Sequence, residues 1–62
     1  MHYEIQRRPA QQPEAEWQPM ANHGGDLEAA IVAARYYRRL CWNKAEFRVV
    51  VREGDSVGVM LQ

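Results

Sequence analysis

The chain has 62 residues, of which 47% are hydrophobic, and its eight basic and eight acidic residues cancel to zero net charge. This apolar content favours folding over disorder, but a chain this short buries only roughly 60% of the surface that its unfolded form exposes. The even charge balance lacks the basic excess that is usual for dedicated nucleic-acid binders. The composition predicts one small domain, residues 1–62, with a thin core. The chain is then a well-packed monomer, a homodimer or the permanent partner of another chain.

Cys41 is the only cysteine, so a disulfide within the chain is excluded. A lone cysteine is typical of a reducing compartment, and we therefore expect the protein to be cytoplasmic. His2, His23 and Cys41 are scattered without the spacing of a metal site, so we expect no metal and no cofactor. No apolar run reaches the roughly 18 residues that span a bilayer, and the first residues lack the apolar stretch of a secretory signal.

The first third of the chain predicts two strands and two loops. Residues 2–8 alternate between apolar and polar side chains, which indicates a half-buried strand. The proline- and glutamine-rich segment 9–15 is predicted to be a loop, and 21–25 is predicted to be a second loop. Residues 16–18 between them predict a short strand, whose Trp17 we expect to lie over one end of the core.

Residues 27–42 predict an amphipathic helix, with Asp26 as its N-cap. The run contains no glycine or proline, and its small side chains recur at helical spacing. The predicted core stripe consists of Leu27, Ala30, Ala34, Tyr37 and Cys41, with Ala33 and Leu40 on its flank. Small alanine side chains let a helix backbone lie close to a sheet. The opposite side of the helix is predicted to carry Glu28, Arg35 and Arg39, and Asn43 and Lys44 are the predicted exit turn.

Residues 46–52 and 57–61 predict a hairpin closed by a turn at 53–56. The sequence therefore predicts an α+β fold in which one amphipathic helix packs on a three- or four-stranded antiparallel sheet, in the order β-β-α-β-β with a short second strand. The side chains predicted to face the helix are Tyr3, Ile5, Phe47, Val49, Val51, Val57, Val59 and Leu61. One helix covers one face, so we expect the other face to be open to water or to a partner.

No pattern in the chain indicates catalysis, and we expect that the protein is not an enzyme. Cys41 lies near the predicted C-terminal end of the helix, where the dipole disfavours a thiolate, so it is interpreted as a small buried hydrophobe. The Gly24–Gly25 turn lacks the lysine and hydroxyl of a phosphate loop. The close carboxylate pairs occupy a loop, a helix start and a turn, where ordinary structural roles explain them: Glu14 with Glu16, Asp26 with Glu28, and Glu53 with Asp55.

Arginines and aromatic residues are the strongest candidates for a contact surface. These residue types are enriched at protein interfaces, and they also contact phosphates and stack on bases. One candidate set lies on the predicted uncovered sheet face and consists of Arg48, Val50, Arg52 and Met60. The other set lies on the helix and consists of Arg35, Arg38, Arg39 and Trp42. For Arg35 and Arg39 a solvated helix face is the simpler interpretation, whereas Arg48 and Arg52 share a strand face without predicted cover.

The predicted order of elements is similar to that of double-stranded-RNA-binding and AP2-like domains, although the chain has no diagnostic motif of either. Its small size and lack of a catalytic pattern are similar in type to those of small phage proteins that inhibit host defence complexes, such as anti-CRISPR inhibitors. We expect a non-catalytic protein-interaction module that binds a protein partner or forms a homodimer. The alternatives are a phage-type inhibitor of a host defence complex and a nucleic-acid-binding module that uses the arginine and aromatic surface.

Overall fold

The computed structural model describes residues 1–41 and 44–61. They form four strands and one helix, which in chain order are β1 His2–Pro9, β2 Gln18–Asn22, α1 Leu27–Leu40, β3 Ala45–Glu53 and β4 Ser56–Leu61. The strands make one antiparallel sheet with the spatial order β2-β1-β3-β4. The α+β fold predicted from the sequence, with one helix and a four-stranded antiparallel sheet, is confirmed.

The two central strands, β1 and β3, pair without interruption from His2 opposite Arg52 to Pro9 opposite Ala45. Their alternating apolar residues fit a pleated surface with one buried face. The helix connects β2, at one edge, to β3 on the far side of β1, and it packs on β1 and β3. The helix therefore covers the middle of the sheet and leaves both edge strands outside the main contact.

The second strand lies later in the chain than predicted. β2 spans 18–22, whereas the sequence analysis placed a strand at 16–18 and a loop at 21–25. Pro19 is part of this strand, which is tolerated because β2 is an edge strand and proline lacks only the donor of a ladder hydrogen bond. The pairing with β1 also shifts between Ile5 and Gln6, opposite the proline. Treating Pro19 as the end of a strand was the source of the error.

The helix begins where the sequence predicted. The Asp26 carboxylate accepts a hydrogen bond from the Ala29 backbone N–H at 2.9 Å, which caps the first turn. Arg38 and Arg39 lie in the last turn, next to the negative end of the helix dipole. The helix ends at Leu40 with Cys41 as its C-cap. Trp42 and Asn43, predicted as the last helical residue and the start of the exit turn, lie outside the described residues.

The core lies between α1 and the central strands. Its buried members are Ile5, Ala30, Ala34, Phe47 and Val49. The predicted helix stripe is confirmed, because its other three residues, Leu27, Tyr37 and Cys41, are partly buried against this cluster. The Tyr37 ring stacks on the Phe47 ring, with centroids 6.1 Å apart. Two alanines at the centre of the stripe thus allow close contact, while aromatic rings fill the space beside them.

The last strand presents its valines to the opposite face from the one predicted. Val57 pairs with Arg52 and Val59 pairs with Val50, so both valines lie on the sheet face away from the helix, here called the far face. They are 53% and 50% exposed. The tight turn that pairs Glu53 with Ser56 fixes this register, and a one-residue change of register moves every side chain to the other face. Strand alternation alone could not reveal it.

Replacement of the helix cap gives a direct test of the local fold. Asp26→Ala removes the acceptor of the Ala29 N–H and is expected to lower the free energy of unfolding by about 1 kcal/mol. Asp26→Asn keeps an acceptor at the same position and should retain most of the stability. Urea denaturation followed by circular dichroism measures both. Equal loss in the two variants would show that the lost charge, rather than the cap hydrogen bond, accounts for the effect.

Candidate functional site

The far face carries a network of polar side chains that bind one another. The Arg48 Nε donates to Gln6 Oε1 at 2.7 Å, and the Gln6 Nε2 donates to Glu4 Oε2 at 2.8 Å. Arg52 Nε lies 3.3 Å from the same Glu4 oxygen, close enough for an ion pair but without the alignment of a hydrogen bond. The two arginines that the sequence analysis placed here are therefore engaged within the chain.

Trp17 lies over one end of this network. Its ring centroid is 4.3 Å from the Arg8 guanidinium carbon and 4.6 Å from that of Arg48, within the range of cation–π contacts. Arg8 is also held by Glu46, whose Oε1 accepts from the Arg8 Nε at 2.8 Å. Desolvation lowers the pKa of Arg48, and the positive charge of Arg8 lowers it further. Trp17 was expected over the core, and it instead covers part of the far face.

Val50 is 0% exposed, although it lies on the far face. Glu4 pairs with it from β1, Val59 pairs with it from β4, and Arg48 and Arg52 flank it on its own strand. The expectation of an open far face is therefore wrong at Val50, because the neighbouring side chains lie across it. Strand periodicity predicts which face a residue occupies, but it does not predict whether long polar neighbours cover that residue.

Large apolar side chains are exposed on the outward side of α1. Val32, Tyr36 and Leu40 are 61%, 57% and 56% exposed, respectively. Their spacing of four residues places them in one row along the helix, a feature that we call the outer stripe. A shallow groove of about 540 Å³ runs beside the stripe, with Val32, Tyr36 and Ala33 in its lining.

The structure separates the predicted candidate residues into two surfaces. Arg48, Arg52 and Met60 belong to the far-face strands, and Met60 is exposed at the shift in register of β4. Arg35, Arg38 and Arg39 are exposed on α1, and in the described ranges 1–41 and 44–61 none of them forms an ion pair. Trp42, the remaining candidate, lies outside those ranges.

The sequence analysis missed Val32, and it placed Leu40 only on the flank of the core. Both residues, with Tyr36, follow an i, i+4, i+8 pattern that the sequence contains. The pattern is a second apolar row on the side of the helix away from the core stripe, and one sheet face cannot cover both rows of the same helix. That signal would have identified the outer stripe before the structure was known.

In the described part of the chain, no group of three or more histidine, cysteine, aspartate or glutamate side chains is arranged to hold a metal ion. The one helix in that part, α1, is too short and too polar to cross a membrane.

Comparison with known proteins gives no relative from which a site could be transferred. The sequence matches no protein-family model and no curated protein, and the structure matches no solved structure. The functional argument therefore depends on the chemistry and geometry of this chain's own residues.

The burial of Val50 predicts that it contributes to stability rather than to contact with a partner. Val50→Ala is expected to lower the free energy of unfolding by about 2 kcal/mol, because it removes two buried methyl groups and leaves a cavity. Val59→Ala, on the neighbouring edge strand, is the matched control and should lower it by less than about 0.5 kcal/mol. Urea denaturation at low protein concentration measures both. A similar loss of unfolding free energy in the two variants would contradict the difference in burial between Val50 and Val59.

Proposed function

We propose that this chain is a non-catalytic protein-interaction module whose contact surface is the outward side of α1. The observation that carries the proposal is the outer stripe, in which Val32, Tyr36 and Leu40 are each more than half exposed. Single exposed apolar residues are ordinary on a protein surface, whereas a contiguous row of them is typical of an interaction site. The shallow groove beside the stripe offers a place for a partner's side chain.

The charges around the stripe indicate the chemistry of the partner. Arg35 and Arg39 are exposed and lie three residues after Val32 and Tyr36, respectively, so two guanidinium groups border the apolar row. The acidic Glu28 lines the groove near the start of the helix. Tyrosine and arginine are the residue types that most often dominate binding energy at protein interfaces. A partner surface with an apolar centre and acidic side chains opposite the two arginines would complement this arrangement, and a basic side chain opposite Glu28 would complement the groove.

The far face is less suited to this role. Arg48 and Arg52 already contact Gln6 and Glu4, so a partner would have to replace these contacts to use their charges. The exposed arginines of α1 have no such internal contact among the described residues, so binding a partner there breaks nothing. This difference favours the helix over the sheet as the contact surface of the module.

The cellular setting that we propose is the cytoplasm, which a single free cysteine, Cys41, supports. A phage-type inhibitor of a host defence complex is a special case of the same proposal, in which the acidic partner surface belongs to that complex. Nucleic-acid binding is the second candidate, because Arg35, Arg38 and Arg39 are exposed on α1 and Arg39 lies beside the exposed Tyr36. Phosphate contacts would make such binding fall steeply as salt concentration rises.

Charge reversal and truncation on the outer stripe test the proposal. The tagged protein is used to capture a partner from lysate of the organism that encodes it, and affinities are then measured with the purified partner. Tyr36→Ala and Arg39→Glu are each expected to weaken binding by about 10-fold or more, as truncated interface hot spots do. Arg7→Glu, an equal charge change at an exposed β1 position, is the matched control and should leave the affinity unchanged.

Two outcomes would contradict this function. One is a partner whose affinity is the same for the wild type, the two helix variants and the control, since the outer stripe would then lie outside the interface. The other is binding of DNA or RNA oligonucleotides at low salt that Arg39→Glu abolishes and that weakens with a steep salt dependence. That result would replace the protein partner with nucleic acid.

A further inference from the structure

The outer edge of β4 is a free sheet edge in the described part of the chain. β4 is the last strand in the order β2-β1-β3-β4, and its inner side pairs with β3. The backbone groups on its other side have no strand partner there. An edge of this kind is a template for pairing with another strand, and proteins usually protect it with charges, proline or an irregular backbone.

The two edges of this sheet differ in such protection. β2 contains Pro19, and its pairing with β1 is irregular at that point. β4 has the sequence SVGVML, without a charged residue or a proline. Its own pairing with β3 shifts at Met60, near the end of the strand, so the irregularity leaves residues 56–59 as a regular edge. Val57 and Val59 are both about half exposed on its far-face side. The protected edge is therefore β2, and the edge left able to accept a strand is β4.

The sequence of β4 is complementary to itself when two copies run antiparallel. A two-fold axis at Gly58 places Val57 of one copy opposite Val59 of the second copy, and the reverse, so that four valines meet on the far face. A shift that moves the axis to Val57 would instead place Val59 opposite Asp55 of the second copy. The valine pairing is thus favoured over this neighbouring register.

The helix side of β4 leaves room for such a contact. Gly58 and Ser56 are the positions of β4 that share the helix face with Val51 and Glu53. Glycine has no side chain and serine has a small one, so no large group projects there at the centre of the strand. The helix itself packs on β1 and β3, and β4 lies outside its main contact. Two copies could therefore approach to the strand spacing of about 4.8 Å without a clash between their helices.

We propose that β4 pairs antiparallel with β4 of a second copy, around a two-fold axis at Gly58, to form one continuous sheet of two copies. Val59 lies beside the buried Val50, so the four-valine contact extends the apolar centre of each far face. A single pair of edge strands is a small interface compared with a standard stable one, so we expect a weak dimer that forms at high protein concentration. This contact is separate from the outer stripe, which stays exposed in the dimer.

The experiment is sedimentation velocity together with amide hydrogen exchange, on the full chain between about 1 μM and 1 mM. The wild type is expected to change from a mass of 7.2 kDa to twice that mass as its concentration rises. Val59→Lys places a charge on the edge and should weaken the dimer by about 10-fold or more. Val32→Lys makes the same change at an exposed helix position and should leave the dimer affinity unchanged. Tyr36→Ala should also leave the dimer affinity unchanged.

Hydrogen exchange keeps the test decisive if Val59→Lys does not fold. In the wild type, β4 amides should become more protected at high concentration, while exposed turn amides far from β4, such as that of Gly25, should not. Val59→Thr keeps the β-branched shape with less apolar surface and should weaken the dimer in the same direction. A strict monomer at 1 mM, a dimer weakened by Val32→Lys but not by Val59→Lys, or unchanged β4 protection would each overturn the proposal.

Discussion

The close contact of α1 with the central strands is the constraint on which the rest of the structure depends. Ala30 and Ala34 lie at the centre of the helix stripe and are buried against Ile5 and Val49. Because alanine adds little bulk, the helix backbone approaches the sheet closely, and the apolar contact is dense even though the chain is short. The Asp26 cap fixes where this helix begins. The helix position in turn determines which face of each strand is covered.

This arrangement has consequences for both outer surfaces. A helix with one stripe against the sheet must expose its other apolar row, and Val32, Tyr36 and Leu40 form that row. The sheet has no second layer of helix on its far face in the described part of the chain, and polar side chains cover its centre instead. The network of Glu4, Gln6, Arg48 and Arg52 buries Val50 and leaves apolar exposure at β4. The two surfaces proposed for binding, the outer stripe and β4, are thus the places where apolar side chains are not covered by other parts of the chain.

The features that depend on neighbouring residues were predicted correctly from the sequence. The predictions were wrong for features that depend on residues distant in the chain. The cap at Asp26, the helix stripe and the strong β-pattern of 46–52 depend on neighbouring residues, and all three are confirmed. The position of β2 depends on its partner β1, which makes Pro19 acceptable at an edge. The face of Val59 depends on the hairpin register, and the burial of Val50 depends on how arginine and glutamate side chains lie across it. None of these three has a local signature in the chain.

Nuclear Overhauser effects between methyl groups test the central contact most directly. In a methyl-labelled sample at low protein concentration, the methyl groups of Ala30 and Ala34 are expected to show cross-peaks to methyl groups of Ile5 and Val49. The Val32 methyl groups, on the outward side of the same helix, should show none to these core residues. Cross-peaks from Val32 to Ile5 or Val49, with none from the two alanines, would mean that the opposite side of α1 faces the sheet. That result would contradict the account of the core and remove the exposed stripe.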